Sequence, residues 1–354
     1  MKVKILVIQQ KMIGDVLVSS ILCENLRLAY PNAQIDYLIY DSTKAVLDGM
    51  NCIDNLILFT KKERNNKLAL LKFGLQLRKT KYDIIIDSYA KLESILLVIL
   101  SGANTKISFT KTHSNLFYTH TVIRRNDYKS NLGLIIEQRL ALLEPLKIDK
   151  KITNPVIYVN DEEVQFAKDV FLKHAIDTSK KTIMISIMGS DDLKTYPLQY
   201  MAHLIDSIID TCDVNILFNY IPNQKKQALE VFSYCSTKTQ KNIYIDIIGN
   251  SIREFIAIMN RCDCIVGNDG GAINMAKALN KPSFIVFSPW IDKKGWATFE
   301  DGQKNVSFHL KDFKPELFKG KTDKKVKKIS KELYAHFKPE LMAKQLINFL
   351  KINI

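Results

Sequence analysis

No stretch of this chain is apolar for long enough to cross a bilayer. The run Ile5–Ile8 is broken by Gln9-Gln10-Lys11, too short even for a secretory signal, and Ile95–Leu100 is far below the about 18 residues that a span needs. Metal-binding cysteine spacing is missing too. The six cysteines stand at 23, 52, 212, 235, 262 and 264, and Cys262-x-Cys264, although on one face of a strand, has no second pair. Buried, reduced thiols are expected instead, which points to the cytoplasm. Neither Gly-x-Gly-x-x-Gly nor Gly-x-x-x-x-Gly-Lys-Ser/Thr occurs, so dinucleotide oxidoreductases and P-loop enzymes lose their main support. Acidic residues are in the minority, 37 against 51 basic, and the net charge of +14 calls for a polyanionic partner: nucleic acid, an anionic membrane surface or a phosphorylated substrate. No zinc, RRM or KH signature supports the first of these. Core-forming residues are plentiful, at 47% hydrophobic against 25% charged, and 354 residues imply two domains.

The most informative stretch runs from Cys264 to Phe287. A short strand, Cys264–Val266, meets a glycine-rich turn; a helix from Gly271 to Leu279 follows, then Asn280-Lys281-Pro282 as a stop and a second buried strand, Ser283–Phe287. Gly267, Gly270 and Gly271 suit a plain tight turn. They also suit an anion site, because glycine lets backbone approach a ligand and a helix N-terminus offers free N–H groups to a phosphate.

Strand–loop–helix units recur along the chain. Val3–Ile8 leads through Gly14 and Asp15 into a helix, Val16–Ala29; strands at Gln34–Tyr40, Asn55–Phe59, Tyr82–Asp87 and Lys106–Phe109 alternate with helical spacing at Leu68–Leu77 and Leu92–Leu100. Asp15 stands where its helix begins, as an N-cap or as a carboxylate at the C-terminal edge of a parallel sheet. Residues 110–129 read as a basic loop with aromatics, including His113, His120, Arg124 and Arg125. Asn131–Leu146 reads as one amphipathic helix, and 147–161 as a linker. Beyond it, Glu163–His174 is helical, and Thr182–Met188 opens onto Gly189-Ser190-Asp191-Asp192-Leu193-Lys194-Thr195-Tyr196-Pro197, where Lys194 could neutralise a phosphate or simply face water. Val214–Asn219 and Tyr244–Ile248 read as strands. Ser251 with Glu254 forms a capping box for Ile252–Arg261, and a lysine-rich segment, Lys311–Lys331, precedes helical spacing at Leu333–Leu350.

Taken together, Gly14-Asp15-Val16-Leu17, the Gly189–Pro197 loop and Gly267-Asn268-Asp269-Gly270-Gly271-Ala272-Ile273-Asn274-Met275-Ala276 resemble the lipopolysaccharide heptosyltransferases of glycosyltransferase family 9. The resemblance covers nearly the whole chain. It implies an α/β protein of GT-B architecture: two Rossmann-like doubly wound domains facing a cleft, residues 1–161 for the acceptor and 162–332 for the nucleotide-sugar donor, with a C-terminal helix, 333–354, crossing back to pack on the first. It further implies inverting, metal-independent transfer of a sugar, ADP-heptose being the suspected donor, to a lipopolysaccharide core or other anionic lipid-linked saccharide. No separate cofactor, no metal and no nucleic acid are expected. The place implied is cytoplasmic and peripheral, at the inner leaflet of the inner membrane. Asp15 would be the general base and Lys194 the cation at the donor phosphates, with Gly14, Gly189, Ser190, Asp269, Gly270, Gly271 and Asn274 around the donor. The chain departs from the family pattern at Asn274, where many members carry histidine, at Ile21 in place of a common proline, and at Ile221-Pro222-Asn223-Gln224, which lacks the usual glycine-rich, acidic character. These departures bear on which donor is used, so a different nucleotide-hexose remains the alternative; a non-enzymatic nucleic-acid binder is a more distant one.

Overall fold

Ile5 to Ile8 are wholly excluded from solvent, as a parallel strand covered by helices on both faces must be. They belong to the first of two units, Met1–Tyr158 and Val159–Ile354, into which the computed structural model divides; it describes residues 2–111 and 115–354. In the first unit, β1 (Lys4–Ile8), β2 (Gln34–Tyr40), β3 (Asn55–Phe59), β4 (Ile84–Asp87), β5 (Thr105–Phe109) and β6 (His120–Val122) form one parallel sheet in the order β3-β2-β1-β4-β5-β6. In the second, β7 (Lys181–Ser186), β8 (Val214–Asn219), β9 (Ile243–Tyr244), β10 (Cys264–Asn268), β11 (Ser283–Val286) and β12 (Asn305–Phe308) run β12-β11-β10-β7-β8-β9. Numbered from its own first strand, each sheet has the same doubly wound order, with the reversal between its first and fourth strands. Successive connections leave that point in opposite directions, which opens a crevice beyond the strand ends. Register places Ile8 level with Asp87 in one crevice and Gly267 level with Ser186 in the other.

Several expectations are corrected. The domain boundary falls at Tyr158/Val159 rather than 161/162. The linker is tied down near its start, because the Asn25 side chain accepts from the Ile152 N–H at 3.0 Å and donates to the Ile152 carbonyl at 2.7 Å, as a paired strand would. The helix expected over Asn131–Leu146 is a helix Leu134–Ala141 and a separate turn Glu144–Leu146, the break falling where Pro145 has no N–H to donate. Of the expected strand at 244–248 only Tyr244 pairs with β8, together with Ile243 before it. The basic loop contains β6 on the sheet's edge; His113 lies outside the described residues. Residues 333–354, expected against the first domain, lie within the second unit. There Leu346, Phe349 and Leu350 of the helix Ala343–Asn353 are buried in one core with Phe284, Leu204 and Ile208. That apolar face has its partners in its own unit.

Candidate active site

The helix after β1 begins at Ile13, with Met12 as its extended preceding residue, so Asp15 is not the N-cap but the third helical residue. From there one carboxylate oxygen accepts a long hydrogen bond, 3.4 Å, from the Met12 N–H, and the negative charge sits favourably in the first turn of the helix. The other oxygen meets Arg139 Nη2 at 3.0 Å. Gly14 is buried beside it. Arg139 comes from the helix Leu134–Ala141 and is itself buried. Its Nε donates to Ser19 Oγ at 2.7 Å, its Nη2 reaches Gln9 Oε1 at 3.5 Å, and Ser88 Oγ, just past β4, donates to the same Gln9 oxygen at 3.1 Å. Arg139 Nη1 is buried and has no hydrogen-bond partner among the described residues. Asp87, one residue before Ser88, is wholly buried and accepts from Tyr118 Oη at 2.7 Å and from the Tyr89 and Ala90 N–H groups, which makes it a brace for its loop.

Burial pushes the Asp15 carboxyl above its ordinary value, while Arg139 foremost, then the Met12 N–H and Arg124, pull it back. The Arg124 guanidinium carbon stands over the Phe109 ring, 4.2 Å from its centre. The outcome is a carboxylate with one side held and 24% of its side-chain surface still open. Such a group is more basic than a free aspartate and can accept a proton from a nearby hydroxyl.

In the second unit the loops after β7 and β10 are joined by Asn268. Its wholly buried amide accepts from the Tyr196 N–H at 2.7 Å and donates to the Ser186 carbonyl at 2.9 Å. Gly189 is required by this closeness, since a Cβ there would stand 2.4 Å from the Lys194 carbonyl oxygen. Ser190 is exposed at the loop's tip, and Asp191 Oδ1 caps the turn Asp192–Lys194 by accepting from two N–H groups. Beyond the turn, Gly271 opens the helix Gly271–Ala278, and a Cβ on Gly270 would meet nothing within 4 Å. The backbone at that helix N-terminus therefore faces open space, the arrangement that suits an anion. Asn274 Nδ2 donates back to the Gly270 carbonyl at 3.1 Å, which keeps its amide on the helix.

Charge gathers around the turn. Burial raises the Asp269 carboxyl to about 6, against the opposing pull of Lys194 and then Lys277. Lys277 Nζ donates to the Thr298 carbonyl at 2.7 Å, and burial lowers it to about 8. Lys194 Nζ lies 5.6 Å and Lys327 Nζ 4.2 Å from the centre of the Trp290 ring, so one indole supports two cations. Among the described residues no group of three His, Cys, Asp or Glu side chains is placed to hold a metal ion.

The expected residues Gly189, Ser190, Lys194, Asp269, Gly270, Gly271 and Asn274 thus converge at one crevice of the second unit, and Gly14 and Asp15 lie at the corresponding crevice of the first. Arg139, Lys277 and Trp290 were not singled out from the sequence, whereas Arg124 was read only as part of the basic loop and Asn268 only as part of the glycine-rich motif. For Arg139 a signal existed: it falls three residues from Ile136 and Leu142, on the buried side of its helix, where an arginine needs a buried acid.

Two units of this kind are the parts of a GT-B glycosyltransferase, and solved structures share the fold. The glycosyl transferase family 9 protein of Veillonella parvula superposes over 97% of both chains with a TM-score of 0.76 at 19% identity. The ADP-heptose lps heptosyltransferase II of E. coli covers 94% of this chain and 99% of its own, with a TM-score of 0.67 at 19% identity. The model of glycosyltransferase family 9 (heptosyltransferase) matches residues 70–327, and the chain belongs to that family. It is 30% identical over 288 residues, 77% of this chain and 80% of the relative, to a lipopolysaccharide heptosyltransferase 3 of Escherichia coli. Lys194 and the Gly267–Ala276 turn lie inside the matched stretch; Asp15 lies before it.

Proposed function

We propose that this glycosyltransferase moves a heptose from ADP-heptose, with inversion and without a metal, onto a hydroxyl of a lipopolysaccharide core or related lipid-linked saccharide, while in peripheral contact with the cytoplasmic face of the inner membrane. The observation that carries the reading is the Asn268-clamped turn, where open backbone at Gly270, a helix N-terminus and Lys194 meet in one place. It is a seat for a diphosphate. As the bond between the anomeric carbon and the diphosphate oxygen breaks, negative charge builds on the leaving group, and Lys194 with the turn's amides offsets it. Asp15 takes the proton of the acceptor hydroxyl as its oxygen bonds to that carbon, and the products are the glycoside and the free nucleoside diphosphate. The relatives' names support heptose and ADP: one is a lipopolysaccharide heptosyltransferase and another an ADP-heptose enzyme.

A thermal-shift screen against nucleotide sugars, with and without chelator, tests donor and metal together. Stabilisation by ADP-heptose that survives chelation is the expected result; stabilisation only by added divalent metal removes metal independence. Asp15→Asn should lower turnover by about 10²–10⁴-fold while leaving donor binding unchanged, and unchanged turnover would end its role as base. A second reading, transfer of another nucleotide-linked hexose, is favoured by Asn274 and by the uncharged turn Pro222–Gln224 beyond β8. The same screen separates the two.

A further inference from the structure

The helix Lys67–Thr80 has apolar residues on two faces where one would serve the core. Leu70, Phe73 and Leu77 pack into the cluster that holds Leu97 and Val98, and at Gly74 the helix comes so near the neighbouring helix, Leu92–Ser101, that a Cβ would meet Leu100 at 2.5 Å. Outside that contact Leu68, Leu71 and Leu75 are 69%, 40% and 50% exposed, and their spacing sets them in one line. The neighbouring helix adds Leu92 and Ile99, 86% and 41% exposed and two turns apart. Packed side by side, the two helices leave an apolar strip facing water, which marks an interaction site.

Cations surround the strip. From Lys61 to Lys81 there are eight basic residues, at 61, 62, 64, 67, 72, 78, 79 and 81, against Glu63, so this segment carries 8 − 1 = +7 of the chain's +14. Arg64 pairs with Asp41; the other seven are exposed, and among the described residues none of them is in an ion pair. Leucines in line on a basic helix are the pattern of a helix lying in the plane of an interface. No described helix is long and apolar enough to cross a membrane. A second copy seated symmetrically on the strip would set this charge against itself, and nucleic acid would have no use for the leucines.

We infer that this two-helix face is a membrane-docking surface, its leucines entering the headgroup boundary of an anionic bilayer and its lysines meeting the lipid phosphates. It supplies the surface for the membrane contact proposed above and rests on that reading for why the chain meets a membrane at all. The test is flotation of the full chain with phosphatidylglycerol–phosphatidylcholine vesicles and with phosphatidylcholine alone, at low and high salt. Binding to the anionic vesicles only, weakened by salt, is expected. Leu71→Ser/Leu75→Ser and Lys72→Glu/Lys79→Glu should each reduce partitioning about tenfold or more, with melting temperature and nucleotide-sugar binding unchanged. The inference is overturned if the wild type does not float, or if both variants float as well as it does. It is also overturned if the leucine variant instead dissolves a dimer seen by sedimentation, or if oligonucleotide binding is lost in step with vesicle binding in the charge variant alone. Flotation that persists in a protein binding no nucleotide sugar would sink the proposed activity and leave this surface standing.

Discussion

Arg139 gives one guanidinium nitrogen to Asp15 and another to Ser19, the first interaction partly buried and the second fully so. Removing its charge as Arg139→Met makes the Asp15 anion harder to hold. Arg124, Tyr37 and Tyr89 then remain as the charged or titratable groups near that carboxylate. The acid limb of the kcat/KM profile should therefore move to higher pH, with Arg139→Lys lying between the two. The same change strands buried partners and should lower stability by about 2 kcal/mol or more in urea. Asp269 is likewise a carboxyl raised by burial, to about 6 from 3.8. Between these two pH values the folded chain holds a proton that the unfolded chain has released, so this residue adds stability as pH falls through that window and withholds it above. Asp269→Asn should accordingly raise stability at pH 7 by about 1–3 kcal/mol and flatten the pH dependence, measured by urea midpoints at several pH values, while weakening donor binding. Asp15 and Asp269 were legible from residue type and position beside a strand end. For Arg139 the helix spacing signals burial, but not its partners, which come from residues 9, 15 and 19, more than a hundred positions away.

The β-α unit that carries the donor turn uses its glycines for different reasons, and substitution separates them. Gly267 has φ of +132°, and a Cβ there would stand 2.4 Å from the Ser186 carbonyl oxygen of the paired strand. Gly267→Ala should destabilise the second unit by about 2–4 kcal/mol, visible as a lower melting temperature. Gly270 is extended and has open space around it, so Gly270→Ala should melt like wild type yet lose donor affinity about tenfold, as a methyl group intrudes where the diphosphate is proposed to sit. Calorimetry and donor titration check both. Most elements could be read from periodicity alone, since buried parallel strands are unbroken apolar runs of the right length. The exceptions have local causes. Pro145 cut a helix whose apolar spacing continued past it, and the run after Tyr244 looks like a strand although only its first residue pairs, β9 being an edge with β8 as its one neighbour.

Each unit has its own buried core, so the whole molecule is not bound to unfold as one. Both tryptophans, Trp290 and Trp296, lie in the second unit, and their fluorescence reports on it alone, whereas far-ultraviolet circular dichroism follows both units. ADP at about a hundred times its dissociation constant should stabilise the fluorescence-detected transition by about 2.7 kcal/mol; a shift confined to the transition that lacks tryptophan signal would place the nucleotide in the other unit. At this scale the chain announces a good deal in advance. Two alternating series of strands and helices, a basic surplus, and the motifs around Asp15, Lys194 and Gly270 are properties of local order, and local order is written in residue spacing. Folding added what spacing does not encode: the amide of Asn268 bridging two loops, the guanidinium behind Asp15, the indole under Lys194 and Lys327, and the C-terminal helix in the core of the second unit. Each of these joins residues distant along the chain, and such contacts exist only once packing has chosen one arrangement among many that the same local pattern allows.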